Sequence, residues 1–228
     1  MELQGKRIAV TGAFGALGAA MVQTATAAGA RVAAIDRAAV PNGFVAATAI
    51  GNVDLADANA ARTAIDAAAK ALGGLDGLVN IAGTFRWETL ADGSVDTWDL
   101  LYRVNLRTAV TASKAAIPHL VASGAGRIVN ISAAGSIKAA AGMGAYAASK
   151  SGVARLTEAL AEELKDRGVT VNAILPSTID TAANRADMPK ADFSRWVTPA
   201  QLSNVIVFLL SDRASAVTGA LVPVMGRV

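Results

Sequence analysis

Residues 7–18 read "RIAVTGAFGALG": five residues of strand character, then Gly12, Gly15 and Gly18 before a run with helical spacing. A strand that turns through glycines straight into a helix can open a nucleotide-binding βαβ unit. The first backbone N–H groups of the helix then face outward towards an anion, and missing side chains let a phosphate come close. Small residues are also needed at such turns for packing alone, so the turn gains weight from its surroundings. The next strand-like run, "VAAID", closes on Asp36. A carboxylate there accepts both hydroxyls of an adenosine ribose and repels a 2′-phosphate. That favours NAD(H) over NADP(H), although the adjacent Arg37 offers a phosphate a partner.

Outward from this unit the chain keeps alternating. β-Branched runs at 7–11, 31–36, 75–83, 126–132, 169–176 and 220–224 are separated by alanine-rich amphipathic segments near 15–29, 96–122, 145–167 and 199–211, with a shorter run near 45–50. Strands divided by helix-length segments imply right-handed crossovers and a parallel sheet covered on both faces. The expected fold is therefore a Rossmann-type, doubly wound α/β/α sheet of about seven strands, as one domain over residues 1–228. The long segment at 177–198 reads as an irregular loop beyond the sixth strand. Ligands of open parallel sheets lie past the carboxyl ends of the strands, which makes this loop the natural substrate cover.

Composition narrows the chemistry. The 228 residues are 53% hydrophobic with net charge +3, enough for one substantial core and no strong field. Lys and Arg are scattered among acids without aromatic interleaving, which argues against a nucleic-acid partner. With no cysteine and a single histidine, His119, read as a helix-end residue, neither thiolate chemistry nor a metal site is expected. No apolar run approaches the roughly 20 residues of a membrane span, and the N-terminus lacks a signal-peptide pattern, so the expected location is the cytoplasm.

The chemistry-bearing stretch is "YAASK", where Tyr146 and Lys150 stand four apart and so share one face of a helix. A phenol exchanges protons poorly at neutrality unless its anion is stabilised, and a neighbouring ammonium and a positively charged nicotinamide ring both do that. Alone, the spacing is more often an ordinary surface pair. Asn105 in "RVNL" is by itself most simply a core amide. Asp54 in "GNVDLAD" follows a short strand where it can meet an adenine amino group, while Asp54 or Asp57 can equally cap the next helix.

Seven pieces in order resemble the short-chain dehydrogenase/reductase family along nearly the whole chain: "TGAFGALG", "LVNIAG", Asn105 in "RVNL", "GRIVNIS", "YAASK", "VTVNAILPSTIDT" and "SAVTGALVPV". The resemblance implies a hydride-transferring oxidoreductase acting on a small-molecule substrate. Tyr146 would be its acid/base, Lys150 would lower the phenol pKa and hold the nicotinamide ribose, and Asn105 would hold a water in a proton relay. It implies cofactor contacts at Gly12, Phe14, Gly15, Ala16, Leu17, Gly18, Asp36, Arg37, Asp54 and Leu55. Further contacts fall at Asn80, Ala82, Gly83, Pro176, Thr178, Ile179 and Thr181. It also implies a homodimer or homotetramer built on the helices near 96–122 and 145–167.

The chain departs from that pattern in places. Ala16 replaces the middle glycine of the turn, with Gly15 one position early, and Met225, Gly226 and Arg227 stand at the usual terminal "DGG". The usual catalytic serine position, thirteen before the tyrosine, holds Ala133, with Ser132 one residue further. An extra loop residue would let Ser132 serve; otherwise the site lacks that hydroxyl. Within the family, dihydropteridine reductases also carry the alanine-bearing turn, lack the serine and prefer NADH, and their substrate loop is similar to "NRADMPKADFSRW". Two alternatives therefore stand beside a carbonyl or alcohol substrate: a quinonoid dihydropterin, or a non-catalytic NAD-binding sensor. Trp87 and Trp98 look exposed and read as rim contacts for substrate or, more simply, as packing anchors.

Overall fold

The computed structural model describes residues 1–228. Strand β1 (Arg7–Thr11) leads through the glycine turn into helix α1 (Ala16–Ala27), followed by β2 (Arg31–Ile35), β3 (Thr48–Ile50) and α2 (Ala58–Leu72). Next come β4 (Gly77–Asn80), α3 (Val95–Leu101), a π-helical turn at Tyr102–Arg107, α4 (Thr108–Ala122) and β5 (Gly126–Ile131). The chain closes with α5 (Gly144–Leu164), β6 (Val169–Pro176), α6 (Ala182–Asp187), α7 (Pro199–Leu210) and β7 (Leu221–Val224). All seven strands form one parallel sheet in the order β3-β2-β1-β4-β5-β6-β7, the doubly wound arrangement expected.

Side-chain alternation divides the core. Ile8 and Val10 of β1 face α1 and α7, meeting Leu17, Met21, Leu202 and Ile206. Ala9 faces the other layer, where Ile65 and Leu72 of α2 meet Leu120 of α4 and Leu164 of α5. Ala61, Ala64 and Ala68 of α2 and Ala112 and Ala116 of α4 are all buried there, so the helices approach closely without large side chains. Leu120→Ala would open a cavity in this layer at a cost of about 2–5 kcal/mol.

Local signals set the helix ends. Asp57 caps α2, accepting from the N–H groups of Asn59 and Ala60, and Gly73 ends it at φ +80°. Thr198 and Gln201 form a reciprocal capping box at α7, with Pro199 in its first turn. The expected helix over 96–122 is broken into α3, the π turn and α4. His119 lies in the last turn of α4 and bonds Asp66 of α2 at 2.7 Å. The expected irregular loop at 177–198 is instead ordered. It holds α6, a single turn at Phe193–Arg195 and a parallel bridge between Ile179 and Val197. No helix is long and apolar enough to cross a membrane.

Candidate active site

The sheet register brings Thr11, Asn80 and Asn130 into one row near the carboxyl ends of β1, β4 and β5, and the sequence-predicted residues gather beyond that row. At the first βα turn, Gly12 has φ +63°, and a Cβ on it would stand 2.7 Å from the Ala82 nitrogen. A Cβ on Gly18 would run into the Gly12 carbonyl, so neither position admits a side chain. Gly15 and Ala16 are exposed, and the Ala16 methyl is accommodated at the helix start. The N–H groups of Ala16, Leu17 and Gly18 form no intramolecular hydrogen bond, the usual condition of a first helical turn. Unpaired backbone donors at a glycine turn fit a pyrophosphate.

Asp36 stands beside this cradle. Its Oδ2 accepts from the Phe14 N–H and its Oδ1 from the Ala38 N–H, both at 2.9 Å. The Phe14 ring packs edge-on against Phe44 at 4.8 Å. Arg37 is exposed. Asp54 accepts from the Ala56 N–H and from Arg103 at 2.6 Å, and these bonds, the backbone one first, hold its carboxyl below the usual range. The cap falls to Asp57, and Asp54 stays half-exposed.

Two expected cofactor contacts point elsewhere. Asn80 is buried and donates to Ser113 and, at 2.8 Å, to Asn130, which in turn donates to Thr157 of α5. Its side chain braces β4, β5 and the helices beneath the site, because strand alternation turns it into the core. Leu55 likewise buries its side chain in the α2–α4 layer. Each can offer a ligand only backbone. Ala82 and Gly83 remain at the edge, where Thr11 Oγ1 accepts from the Ile81 and Ala82 N–H groups and fixes their course.

The acid/base candidates converge on Gly83. Lys150 is buried and donates to the Ile131 carbonyl at 2.8 Å. Asn105, 1% exposed, sits in the π turn, a helix irregularity frequent at functional sites. Its amide donates to the Thr84 carbonyl and to Ser149 Oγ, and its Oδ1 accepts from the Thr84 N–H at 2.7 Å. A Cβ on Gly83 would lie 3.0 Å from Asn105 Oδ1 and 3.3 Å from Lys150 Nζ. Tyr146 is one helical turn before Lys150, and the Phe85 ring meets its ring edge-on at 4.9 Å. Burial pushes the Tyr146 phenol up to about 12 and the Lys150 ammonium down to about 8. Without a ligand, desolvation favours the neutral form of both.

The Ser132 hydroxyl is engaged within the protein. It is 2% exposed, and its hydroxyl donates to the Lys150 backbone carbonyl at 2.8 Å. Ser136, the next hydroxyl along, donates to the Ala133 carbonyl.

Past β6, Pro176 is buried at the strand end and the Thr178 carbonyl accepts from the Val197 N–H. Ile179 bridges to Val197, and Thr181 caps α6 through the Asn184 N–H. The C-terminal residues fasten this segment: Ser177 donates to the Met225 carbonyl, Arg195 to the Arg227 carbonyl and Arg227 to the Ser194 carbonyl. Trp87 packs on Gly142 and Trp98 against Gly144, at the threshold of α5.

Sequence reasoning missed Thr11, Ser149 and Thr84. Ser149 links Asn105 to the Tyr146 carbonyl, and its position inside "YAASK" was the only available signal.

A family model described as short chain dehydrogenase matches residues 6–192. The chain is 32% identical to 2-(S)-hydroxypropyl-CoM dehydrogenase 3 of Xanthobacter autotrophicus, over 99% of this chain and 97% of that protein. It is 34% identical to D-threitol dehydrogenase of Mycolicibacterium smegmatis, over 96% of this chain and 91% of that protein. It is 32% identical to L-xylulose reductase of Bos taurus, over 99% and 97% respectively.

Proposed function

The chain belongs to the short-chain dehydrogenase family, and from that membership we propose that it moves hydride between NAD(H) and a small ketone or secondary alcohol. The observation that carries this reading is the convergence of Asn105 Oδ1 and Lys150 Nζ on one point beside Gly83, one helical turn from Tyr146.

The cofactor fits the residues present. The free N–H groups of Ala16, Leu17 and Gly18 would hold its pyrophosphate, and Asp36 its adenosine ribose. Ala82 and Gly83 would line its path, and Lys150 would hold the second ribose. Bound NAD(H) supplies or accepts the hydride. The Asp36 carboxylate beside the cradle would repel a 2′-phosphate, with the exposed Arg37 as its neighbouring cation, which supports NAD(H).

Tyr146 gives a proton to the carbonyl oxygen during reduction and takes it back during oxidation. Its phenol must ionise more readily than burial alone allows, and a protonated Lys150 within the same pocket opposes the desolvation. Both amide protons of Asn105 are spent, so only the remaining lone pair of Oδ1 is available to a relay water. Phe85 fixes the face that Tyr146 presents.

The test is Tyr146→Phe. NADH binding, followed by fluorescence titration, should be unchanged while turnover falls by about 10²–10⁴; full turnover in the variant overturns the assignment.

Ala133 and the commitment of the Ser132 hydroxyl support a second substrate reading. A quinonoid dihydropterin accepts hydride and a proton with less need for a hydroxyl beside a carbonyl. NADH oxidation measured against quinonoid dihydropterin and against a ketone panel separates the two. NADH binding with no turnover on either would favour the sensor reading.

A further inference from the structure

At the opposite end of the sheet from Tyr146, a cleft of about 360 Å³ opens between the starts of β5 and β6 and the segment before β7. Arg127 and Lys165 supply its charge, Thr170, Ser215 and Thr218 its hydroxyls, and no carboxylate lines it. Arg127 is the unusual member. Its side chain is 7% exposed, yet its only hydrogen bond in the protein runs from Nη1 to the Gly126 carbonyl, and its Nε has no partner. The nearest carboxylate, Asp212, stands 3.9 Å from Nη2 and is itself held by Lys6 at 2.8 Å. Thr170 Oγ1 is a second buried polar atom without a partner.

A guanidinium removed from water without full pairing is costly, and so is a buried hydroxyl left unbonded. Burial lowers the Arg127 pKa, and Asp212 opposes that only in part. Two such groups at one cleft, beside Lys165 and the hydroxyls of Ser215 and Thr218, need an acceptor-rich counterpart. We infer that this cleft is a binding site for a small multivalent oxyanion of the phosphate class, seated among Arg127, Lys165 and the hydroxyls of Thr170 and Ser215. Lys165 reaches it from a surface position where it now pairs with Glu162 at 2.6 Å. The site is separate from the glycine cradle. Arg127 and Ile131, whose carbonyl holds Lys150, are four residues apart on β5, about 13 Å along the strand. An ion there would join the starts of β5 and β6 and stabilise the sheet from its amino end.

The experiment is thermal melting in sodium phosphate against sodium chloride of equal ionic strength. The wild-type protein should show a saturable rise of about 5 °C at a hundred times Kd. Arg127→Gln and Lys165→Gln should each weaken the apparent phosphate affinity about tenfold. An equal rise in chloride overturns the site, and so does undiminished phosphate affinity in the variants, which would place the ion at the α1 cradle. Should Arg127→Gln fail to fold, Lys165→Gln and Thr170→Val decide the matter: weakened affinity supports the site and wild-type affinity in both refutes it.

Discussion

The Ser132 hydroxyl donates to the Lys150 carbonyl at 2.8 Å, which fastens the end of β5 to the helix that carries the proton-transfer pair. The residue nearest the usual catalytic serine is thus a structural tie. Ser132→Ala should leave kcat within about threefold and lower stability by about 1 kcal/mol, the net worth of one hydrogen bond. Steady-state kinetics beside a urea melt checks both, and a loss of kcat of a hundredfold would restore Ser132 to the chemistry.

Gly83 is small because Asn105 and Lys150 meet there. In Gly83→Ala the new methyl would stand 3.0 Å from Asn105 Oδ1 and 3.3 Å from Lys150 Nζ, tighter than ordinary contact. Displacing either group by a few tenths of an ångström spoils alignment before it spoils the fold, since Gly83 itself is exposed. The expected result is a fall in kcat of about 10–100-fold with a melting temperature close to wild type. Unchanged kcat would show that the convergence plays no part in turnover.

Asp36 holds two backbone N–H groups, those of Phe14 and Ala38, as well as facing the cradle. Asp36→Asn keeps the shape and removes the charge, so the two effects separate. NADH affinity should weaken by about tenfold, the worth of one charge-assisted bond, and NADPH affinity should rise because the repulsion of a 2′-phosphate is gone. Fluorescence titration with each nucleotide reads this directly. A variant that discriminates as strongly as wild type would take nucleotide specificity away from Asp36.

How much of this was legible in the chain depends on whether the signal was local. "RIAVTGAFGALG" gave strand, turn and helix together because glycine placement and hydrophobic period are local properties, and Tyr146 and Lys150 shared a face because helical spacing is one too. The direction of the Asn80 side chain was not legible because it depends on strand alternation against Asn130, a neighbour fifty positions away. The 177–198 segment looked irregular because part of its order comes from the Met225–Arg227 tail, which lies well beyond it in the chain. Ser132 kept its ambiguity for the same reason: the group that takes its proton lies on another element.

Lys150 and Tyr146 also make stability depend on pH with opposite signs. Burial holds the folded Lys150 at about 8, whereas an unfolded lysine keeps its proton to about 10.4. Between these values the unfolded chain binds more protons, so stability rises with pH. Tyr146 is held at about 12 when folded, and an unfolded tyrosine ionises near 10. Over that later window the folded chain binds more protons, and stability falls. The ligand-free protein should therefore gain about 2 kcal/mol from Lys150 between pH 8 and 10 and lose the Tyr146 contribution between pH 10 and 12. Urea midpoints across pH 7–12 test this. Lys150→Met should remove the rise and Tyr146→Phe the fall, each without altering the other limb. A rise that persists in Lys150→Met would mean that some other buried group titrates there and that Lys150 keeps its proton in the folded protein.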